Sequence, residues 1–343
     1  MQKIKKTKIL FLIPNRQKHG AQNFFKRLFN DFHSLSWDKE LIIEENHNKI
    51  FLYFKILRDS LTRPLIIFST VNSNVTALFL KLLNPRITII SRLGNSISQE
   101  IKKNSLKFFI HWLFYKMLTK LSKFFVFQSQ NMKEDFFNFF NFEILNYRII
   151  NNGISFPKAK IQKTIKGPKI RCLLVGTFKK QKGYDIFFKA LPFIKNFSQI
   201  HIDICGDGPM LETFKNLNEV KEYLPSVTFH GFINPKKLFN QANFYVLPSR
   251  FEGFSNSLIE ALSHGIPCIA SNGPGASSEV IKEGLNGFLF ENEDHIDLAK
   301  KIDLILSEID SFLPEIIFND AYQRFNINSI ALKYKALLED VRN

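Results

Sequence analysis

Short runs of apolar residues alternate along this chain with longer segments whose apolar residues recur at helical spacing. In the first half, KILFLIP, PLIIFST, ITIIS, FFVFQS and YRIINNG predict buried strands, and several of them end in small polar residues. The segment GAQNFFKRLFNDF, which follows the first run, predicts a helix. Strands that alternate with helices in this way indicate an α/β fold with parallel sheets and crossover helices.

The alternation stops at residues 151–170 and then restarts. This segment contains Gly, Pro and five lysines without strong periodicity, which predicts a boundary between two domains. Beyond it, strands are predicted at IRCLLVGTF, IHIDICGDG, VTFHGFI, FYVLPS, PCIAS and GFLF, and helices lie between and after them. Since ligands of such α/β units bind beyond the carboxyl ends of the strands, we expect the site in a cleft between the two halves.

Charge and composition narrow the range of partners. The chain has 47 Lys and Arg against 31 Asp and Glu, and the net charge of +16 favours phosphates, nucleic acid or an acidic membrane as partners. The 38 phenylalanines indicate a compositional bias, so single aromatic residues carry little weight. The three cysteines lie in predicted buried strands, and their odd number argues against disulfides and favours a reducing cytoplasm.

Other classes of protein are not indicated by the sequence. No signal peptide is predicted, and no run approaches the roughly 18 uncharged apolar residues of a membrane span. The histidines lack ligand spacing, so we expect neither a metal nor another cofactor. The Gly-x-Gly fragment at 206–208 alone is typical of a strand-to-helix turn and is not a dinucleotide fingerprint.

Two glutamates in FEGFSNSLIEALSHGIPCIAS provide the first candidate chemistry. NSLIEALSHG predicts a helix that ends at Gly265, with Ser255 or Asn256 as its N-cap. The free N–H groups of residues 256–258 then favour an anion, phosphate above all. Glu260 lies about 6 Å further along the helix axis, the offset between a phosphate and the ribose of one nucleotide. Glu252 precedes the helix and is expected to face a transferred group.

Each glutamate alone is more typical of a solvated surface residue. The apolar neighbours Ile259, Ala261 and Leu262 argue against a purely solvated position for Glu260. Glu252 has no comparable apolar environment in the sequence, so the argument for it depends on the motif around it.

That motif resembles the one found in retaining glycosyltransferases of family 4 (group 1). These enzymes have the GT-B fold, in which two Rossmann-like parallel-sheet domains face each other across a cleft. The family frame is E-G-[FL]-x-N-x-x-x-E-A, and residues 252–261 read EGFSNSLIEA. The resemblance implies a catalytic role for Glu252 and a donor-binding role for the residues that follow it: Phe254, Ser255, Asn256, Ser257, Leu258 and Glu260.

Further segments resemble the family in the same order. LLVGTFKKQKGYDIFFKAL is similar to the segment whose lysine, here Lys182, contacts the donor diphosphate. ICGDGPM is similar to a glycine turn at Gly206 and Gly208, and VTFHGFI to the strand that borders the nucleobase at Gly231 and Phe232. HGAQNFFKRLFNDF resembles a glycine element of the first domain at Gly20.

The resemblance also implies a division into domains. Residues 1–155 are expected to form the acceptor-binding domain, and residues 165–325 the nucleotide-sugar-binding domain. SIALKYKALLED resembles the closing helix, about 326–343, that crosses back onto the first domain.

Three positions depart from the family pattern. Thr177 replaces the usual arginine on the diphosphate, and Lys179, Lys180 or Arg250 are the candidates to substitute for it. His19 precedes Gly20 where the family has a second glycine. The histidine that the family places near the transferred sugar has no clear equivalent, so Arg92 or Asn95 would serve instead.

The implied function is transfer of a hexose or N-acetylhexosamine, with retention, from a nucleotide sugar such as a UDP-sugar to a glycan or lipid-linked acceptor in surface polysaccharide or lipopolysaccharide synthesis. Lys182 and the helix N-terminus are expected to stabilise the leaving diphosphate, and no metal is implied. Two alternatives stay open, a GT-B nucleotide-sugar epimerase and a nucleotide-sugar-binding scaffold weakened by Thr177. Nucleic-acid binding ranks last because no aromatic-basic recognition motif is present.

Residues 102–125, KKNSLKFFIHWLFYKMLTKLSKFF, combine apolar residues at helical spacing with flanking lysines. This pattern is typical of an interfacial helix on an anionic membrane, which implies a cytoplasmic protein peripheral to the inner face of the membrane. An ordinary core helix with a lysine-rich outer face is the equal alternative.

Overall fold

The computed structural model describes residues 7–13, 24, 26, 28–29, 38–70, 73–157, 168–216 and 221–342. Contacts between Cα atoms divide the chain into two compact units. The first comprises Met1–Gly153 and Ile327–Asn343, and the second comprises Ile154–Asn326.

The first unit contains a six-stranded sheet. Its strands are β1 (Lys8–Ile13), β2 (Asp38–Ile43), β3 (Leu65–Ser69), β4 (Thr88–Arg92), β5 (Phe124–Phe127) and β6 (Tyr147–Ile149), in the order β2-β1-β3-β4-β5-β6. All neighbouring pairs are parallel. The described helices of this unit are α1 (Lys49–Thr62), α2 (Asn74–Leu83), α3 (Leu106–Leu121) and α4 (Gln130–Phe140).

The second unit contains another six-stranded parallel sheet. Its strands are β7 (Ile170–Val175), β8 (Ile200–Cys205), β9 (Val227–Gly231), β10 (Phe244–Leu247), β11 (Cys268–Ser271) and β12 (Gly287–Phe290), in the order β12-β11-β10-β7-β8-β9. Its described helices are α5 (Tyr184–Ala190), α6 (Leu211–Lys215), α7 (Lys236–Phe239), α8 (Asn256–Leu262), α9 (Ser277–Val280), α10 (His295–Glu308) and α11 (Pro314–Phe325). The prediction of parallel α/β sheets is confirmed for both units.

The last helix, α12 (Ile327–Arg342), belongs to the first unit although it follows the second in the chain. Its side chains Ile330, Tyr334 and Leu337 are buried in the same cluster as Phe11 and Phe68 of β1 and β3. The apolar face of α12 therefore completes the core on one side of the first sheet.

Some elements differ from the sequence-based expectations, and others were not predicted. The helix predicted to end at Gly265 ends at Leu262, and Gly265 follows with a φ of 69° and its N–H bonded to the Leu262 carbonyl. Strand β2 and helix α1 are not among the elements that the sequence analysis predicts. Gly20 and His19 lie outside the described residues. Among the described residues, none of the helices combines the length and apolarity that crossing a bilayer would need.

Candidate active site

The candidate residues of the second unit lie at the carboxyl edge of its sheet. Five loops meet there, because parallel strands place their carboxyl ends at one edge. They follow β7, β8, β9, β10 and β11, and between them they contain Thr177 and Lys182, Gly206 and Gly208, Phe232, and Glu252. The sequence motifs thus converge although Thr177 and Glu252 are 75 residues apart.

The ion pair between Lys182 and Glu252 is the main charged contact at this edge. Lys182 Nζ donates to Glu252 Oε1, and the hydroxyl of Ser249 donates to the same oxygen over 2.8 Å. The Lys182 and Glu252 side chains are 23% and 12% exposed. Partial burial makes their attraction stronger than that of a fully solvated pair. The arrangement holds a cation and a carboxylate side by side, with part of each open to solvent.

Backbone contacts fix the position of Glu252 from both sides. Its N–H donates to the Pro274 carbonyl over 3.0 Å, which joins the loop after β10 to the loop after β11. Gly275 has a φ of 127°, and a Cβ there would lie 1.6 Å from the Glu252 carbonyl oxygen. Only glycine allows the two backbones to approach so closely.

The start of α8 is built from hydroxyl groups. Of the two residues expected as N-cap, Ser255 takes the role, and its Oγ accepts from the Leu258 N–H over 3.4 Å. The buried Tyr245 hydroxyl donates to Ser257 Oγ over 2.8 Å. Burial raises the pKa of Tyr245 well above its ordinary value, so the phenol keeps its proton and remains a donor. The helix start is therefore anchored to the core from below.

Two of the predicted donor-binding residues have side chains in the core. Leu258 is buried, and the buried ring of Phe254 lies 5.7 Å from that of Phe325, centroid to centroid. Any contact that these two residues make with a ligand must therefore come from their backbone. Asn256 and Ser257 are partly exposed at the first turn of α8.

Glu260 lies one turn into α8 and is partly buried. Its neighbours Ile259 and Ala261 are fully buried, so the helix face on which Glu260 lies adjoins the core on both sides. His264, one turn further along, is within 2.8 Å of the Glu260 carbonyl oxygen through its Nδ1. Glu260 is therefore not a bulk-solvent residue.

The glycine turn after β8 supports the loop that contains Thr177. The Phe178 N–H donates to the Asp207 carbonyl over 3.0 Å, and the Gly206 N–H donates to the Gly231 carbonyl over 2.9 Å. Backbone hydrogen bonds thus connect the loops after β7 and β8 to each other and to the end of β9. Thr177 is exposed at this edge, and Phe232 is 68% exposed beyond β9.

Arg250, Lys179 and Lys180 are the candidates to substitute for the arginine that Thr177 replaces, and they differ in their contacts. The guanidinium of Arg250 binds both carboxylate oxygens of Asp185, so its donors are engaged within the unit, whereas Lys179 and Lys180 are exposed beside Thr177. Of these three cations, the two lysines are the ones open to a diphosphate.

Arg92 of the first unit is not suited to contact a sugar. It is 1% exposed, donates to Asn152 and to the Tyr334 hydroxyl, and lies over the Phe24 ring. The expectation that it replaces the family histidine is therefore wrong, because its side chain is enclosed by core residues. Asn95 is exposed and donates to Glu100 over 2.6 Å.

Sequence reasoning missed Ser249, Tyr245 and Asp185. Ser249 is three residues before Glu252, so its place in the SRFEGF segment could have indicated a contact with that glutamate. Tyr245 contacts Ser257, 12 residues away, and Asp185 contacts Arg250, 65 residues away, and contacts at such separations are not visible in a local pattern. Within the described part of the chain, no group of three or more His, Cys, Asp or Glu side chains is arranged to hold a metal ion.

Comparisons with known proteins agree with this architecture. The chain matches the solved structure of Anabaena Alr3699/HepE in complex with UDP with a TM-score of 0.79 and 17% identity, over 97% of this chain and 100% of that one. The apo form of the lipopolysaccharide outer core galactosyltransferase WaaB matches with a TM-score of 0.76 and 18% identity, over 97% and 99%. The fold is GT-B, the fold of these glycosyltransferases.

Residues 155–314 match the family model described as Glycosyl transferases group 1. An uncharacterized glycosyltransferase of Methanocaldococcus jannaschii, MJ1607, is 28% identical over 62% of this chain and 59% of its own length. A Campylobacter jejuni alpha-1,4-N-acetyl-D-galactosaminyltransferase that acts on an undecaprenol-linked glycan is 31% identical over 50% and 48%. The chain spans about half the length of the curated relatives it matches.

Gly275→Ala tests the close approach of the two loops. We expect it to lower the free energy of unfolding clearly more than Gly284→Ala does, measured by urea denaturation. Gly284 also has a positive φ, 73°, but a Cβ there meets nothing within 4 Å, so its substitution reports only the backbone cost of about 1–2 kcal/mol. Equal losses for the two variants would contradict the steric argument.

Proposed function

We propose that this protein is a retaining glycosyltransferase that moves a hexose or N-acetylhexosamine from a UDP-sugar to a glycan or lipid-linked acceptor. The proposed reaction belongs to the synthesis of a cell-surface polysaccharide or lipopolysaccharide. The observation that carries the proposal is the paired Lys182 and Glu252 at the edge where the loops of a group 1 glycosyl transferase segment meet.

This pair suits the departure of a nucleoside diphosphate. Lys182 supplies a preorganised positive charge where negative charge develops on the leaving group. The N–H groups at the start of α8 add to that potential, and the exposed Lys179 and Lys180 contribute in place of the arginine that Thr177 replaces. Glu252 orients the hydroxyls of the donor sugar, and Glu260 accepts hydrogen bonds from the ribose.

In the proposed reaction, the bond between the anomeric carbon and the diphosphate oxygen breaks while the acceptor oxygen attacks from the same face of the sugar. The proton of the acceptor hydroxyl passes to the departing phosphate oxygen. Glu252 is not a nucleophile in this scheme, because its carboxylate is already bound by Lys182 and Ser249 and serves to position hydroxyl groups. The scheme requires no metal ion or other cofactor.

The names of similar proteins support the choice of donor and pathway. HepE is described in complex with UDP-glucose, and WaaB is named as a galactosyltransferase of the lipopolysaccharide outer core. A Staphylococcus aureus relative, CapM, is named as a capsular polysaccharide biosynthesis glycosyltransferase and is 29% identical over 51% of this chain. The names of these proteins therefore support a UDP-sugar as the donor and a surface glycan as the product.

Turnover with UDP-glucose, UDP-galactose, UDP-GlcNAc and UDP-GalNAc in the presence of a membrane extract tests the activity. We expect UDP release with at least one donor, and a product with the anomeric configuration of the donor by proton NMR. Glu252→Gln and Lys182→Ala should each lower kcat about 100-fold, the scale for removing one preorganised charge-stabilising group. Lys189→Ala, at an exposed position of α5, is the matched control and should retain full activity.

The same assay separates the alternatives. Donor binding without turnover would favour a nucleotide-sugar-binding scaffold, and release of a free epimerised sugar would favour an epimerase. Inversion at the anomeric carbon would contradict the retaining assignment.

Glu260→Ala tests the ribose contact separately. Loss of hydrogen bonds to a charged group, worth about 1.5–3 kcal/mol, should raise the dissociation constant of UDP at least tenfold in calorimetry. Glu308→Ala, an exposed glutamate of α10, should leave the affinity for UDP unchanged. An unaltered dissociation constant for Glu260→Ala would remove this residue from the site.

We further propose that α3 of the first unit docks the protein on the inner face of the cytoplasmic membrane. Its outward face exposes Leu106, Phe109, Ile110, Leu113 and Met117, while Phe108, Tyr115 and Leu118 face the core.

Charge and context favour a membrane as the partner of α3. Exposed lysines accompany its apolar stripe, at positions 102, 103, 107, 116, 120 and 123, which suits anionic headgroups. Helix α2, which contacts α3, and helix α1, which contacts α2, also expose large apolar side chains, among them Phe79 and Phe51. Helix α4 instead exposes Glu134 and Asn138, so the apolar surface is not common to every helix of the unit.

Vesicle flotation tests this docking. The protein should bind vesicles that contain phosphatidylglycerol and bind weakly to pure phosphatidylcholine. Leu113→Ser should weaken binding about tenfold, because an inserted Leu contributes about 1.5–3 kcal/mol. Asn138→Ser on α4 is the control and should not change binding. Binding that is independent of lipid charge and of Leu113 would refute the membrane role.

A further inference from the structure

Arg250 connects the two loops that present Lys182 and Glu252. Its guanidinium donates to both carboxylate oxygens of Asp185, over 2.8 and 2.6 Å, and a further bond of 2.7 Å reaches the Lys180 carbonyl. Asp185 lies in the first turn of α5, directly after the turn that contains Lys182. Arg250 itself lies two residues before Glu252.

Further bonds join the same two segments. The Arg250 N–H donates to the Gln181 carbonyl over 2.8 Å, and the Gln181 side chain donates to the Phe251 carbonyl over 3.0 Å. Gly183 has a φ of 65°, and a Cβ there would lie 1.9 Å from the Pro248 carbonyl oxygen. The turn at 180–183 and the loop at 248–252 therefore move as one piece as long as these bonds hold.

The Arg250–Asp185 pair has the features of a strong ion pair. The contact is bidentate, and the Arg250 side chain is 15% exposed. Although burial opposes ionisation of Asp185, the hydrogen bonds and charge of Arg250 lower the pKa of that carboxyl below its ordinary value. An acidic side chain in the first turn of a helix is also favoured by the helix dipole. Both groups are therefore charged at neutral pH.

We propose that Arg250 and Asp185 are positioning residues that set the separation of Lys182 and Glu252, an inference that rests on the proposed transferase function. The lysine stem is flexible, so its ammonium is placed only as well as the turn beneath it. A misplacement of about 1 Å at a reacting centre can reduce the rate on the order of 100-fold. Arg250 acts through this geometry and not by touching the donor, because its donors are directed at Asp185, Glu293 and the Lys180 carbonyl.

Reductive methylation of lysines, followed by mass spectrometry, measures how fast Lys182 is modified. This rate reports on the ion pair of Lys182 and does not require turnover. In the wild type, the ion pair should slow the modification of Lys182 compared with the exposed Lys189. Arg250→Gln and Asp185→Asn should each accelerate it about tenfold, which corresponds to a coupling of about 1.4 kcal/mol. Both changes are needed because they alter the local charge in opposite directions. A pure charge effect would shift Lys182 labelling oppositely in the two variants, whereas lost positioning shifts it the same way.

Arg171→Gln is the matched control. Arg171 Nη2 lies 2.7 Å from each carboxylate oxygen of Asp203 in the same unit, but at the amino end of β7 and away from the site. It should leave Lys182 labelling unchanged. A circular dichroism spectrum equal to that of the wild type verifies that each variant is folded. Arg250→Lys, which keeps the charge but lacks the planar fork, serves if Arg250→Gln does not fold.

Kinetics complete the test. In an active wild type, Arg250→Gln and Asp185→Asn should lower kcat about 100-fold. The KM of the donor should change far less, and the double variant should lose little more than either single one. Unchanged Lys182 labelling in both variants, or opposite changes, would overturn the positioning role even if transfer is active. A wild type without turnover would refute the transferase function, while the labelling result still decides the positioning role.

Discussion

The ion pair between Lys182 and Glu252 is the interaction on which the candidate site depends. The two residues are 70 positions apart in the sequence, and they meet because β7 and β10 are neighbours in the second sheet. Parallel strands direct their carboxyl ends to one edge, so the topology alone brings the loops within reach. A partly desolvated charge pair contributes favourably only when its geometry is well fixed. The glycine contacts and the backbone bonds between the loops provide that geometry.

In the second unit, the residues that hold the site in place are buried in the core, and other residues are exposed to a ligand. Phe254, Leu258 and Ile259 anchor the loop and α8 in the core, and the Tyr245 hydroxyl supports the helix start from within. Besides the exposed ring of Phe232, the groups at the surface of the edge are backbone N–H groups, hydroxyls, lysines and carboxylates. A site of this composition favours a ligand with a polyanionic part and a hydroxyl-rich part, and a sugar nucleotide has both.

Much of this organisation is readable in the sequence. The strand and helix periods indicate two parallel α/β units, and the spacing of Glu252 and Glu260 places both at one turn-to-helix junction, because that relation is local. Contacts between distant segments are not readable in the same way. The pair of Arg250 with Asp185 spans 65 residues, and the enclosure of Arg92 depends on Tyr334, which is 242 residues away. A sequence pattern shows that an arginine is present, but only packing decides whether it faces a ligand or the core.

A crystal structure of the protein in complex with UDP would show whether the nucleotide binds at the Lys182–Glu252 pair. We predict a diphosphate oxygen within hydrogen-bond distance of Lys182 Nζ, and the ribose hydroxyls bound to the carboxylate of Glu260. A nucleotide bound away from the carboxyl edge of the second sheet, with the Lys182–Glu252 pair untouched by phosphate, would contradict it.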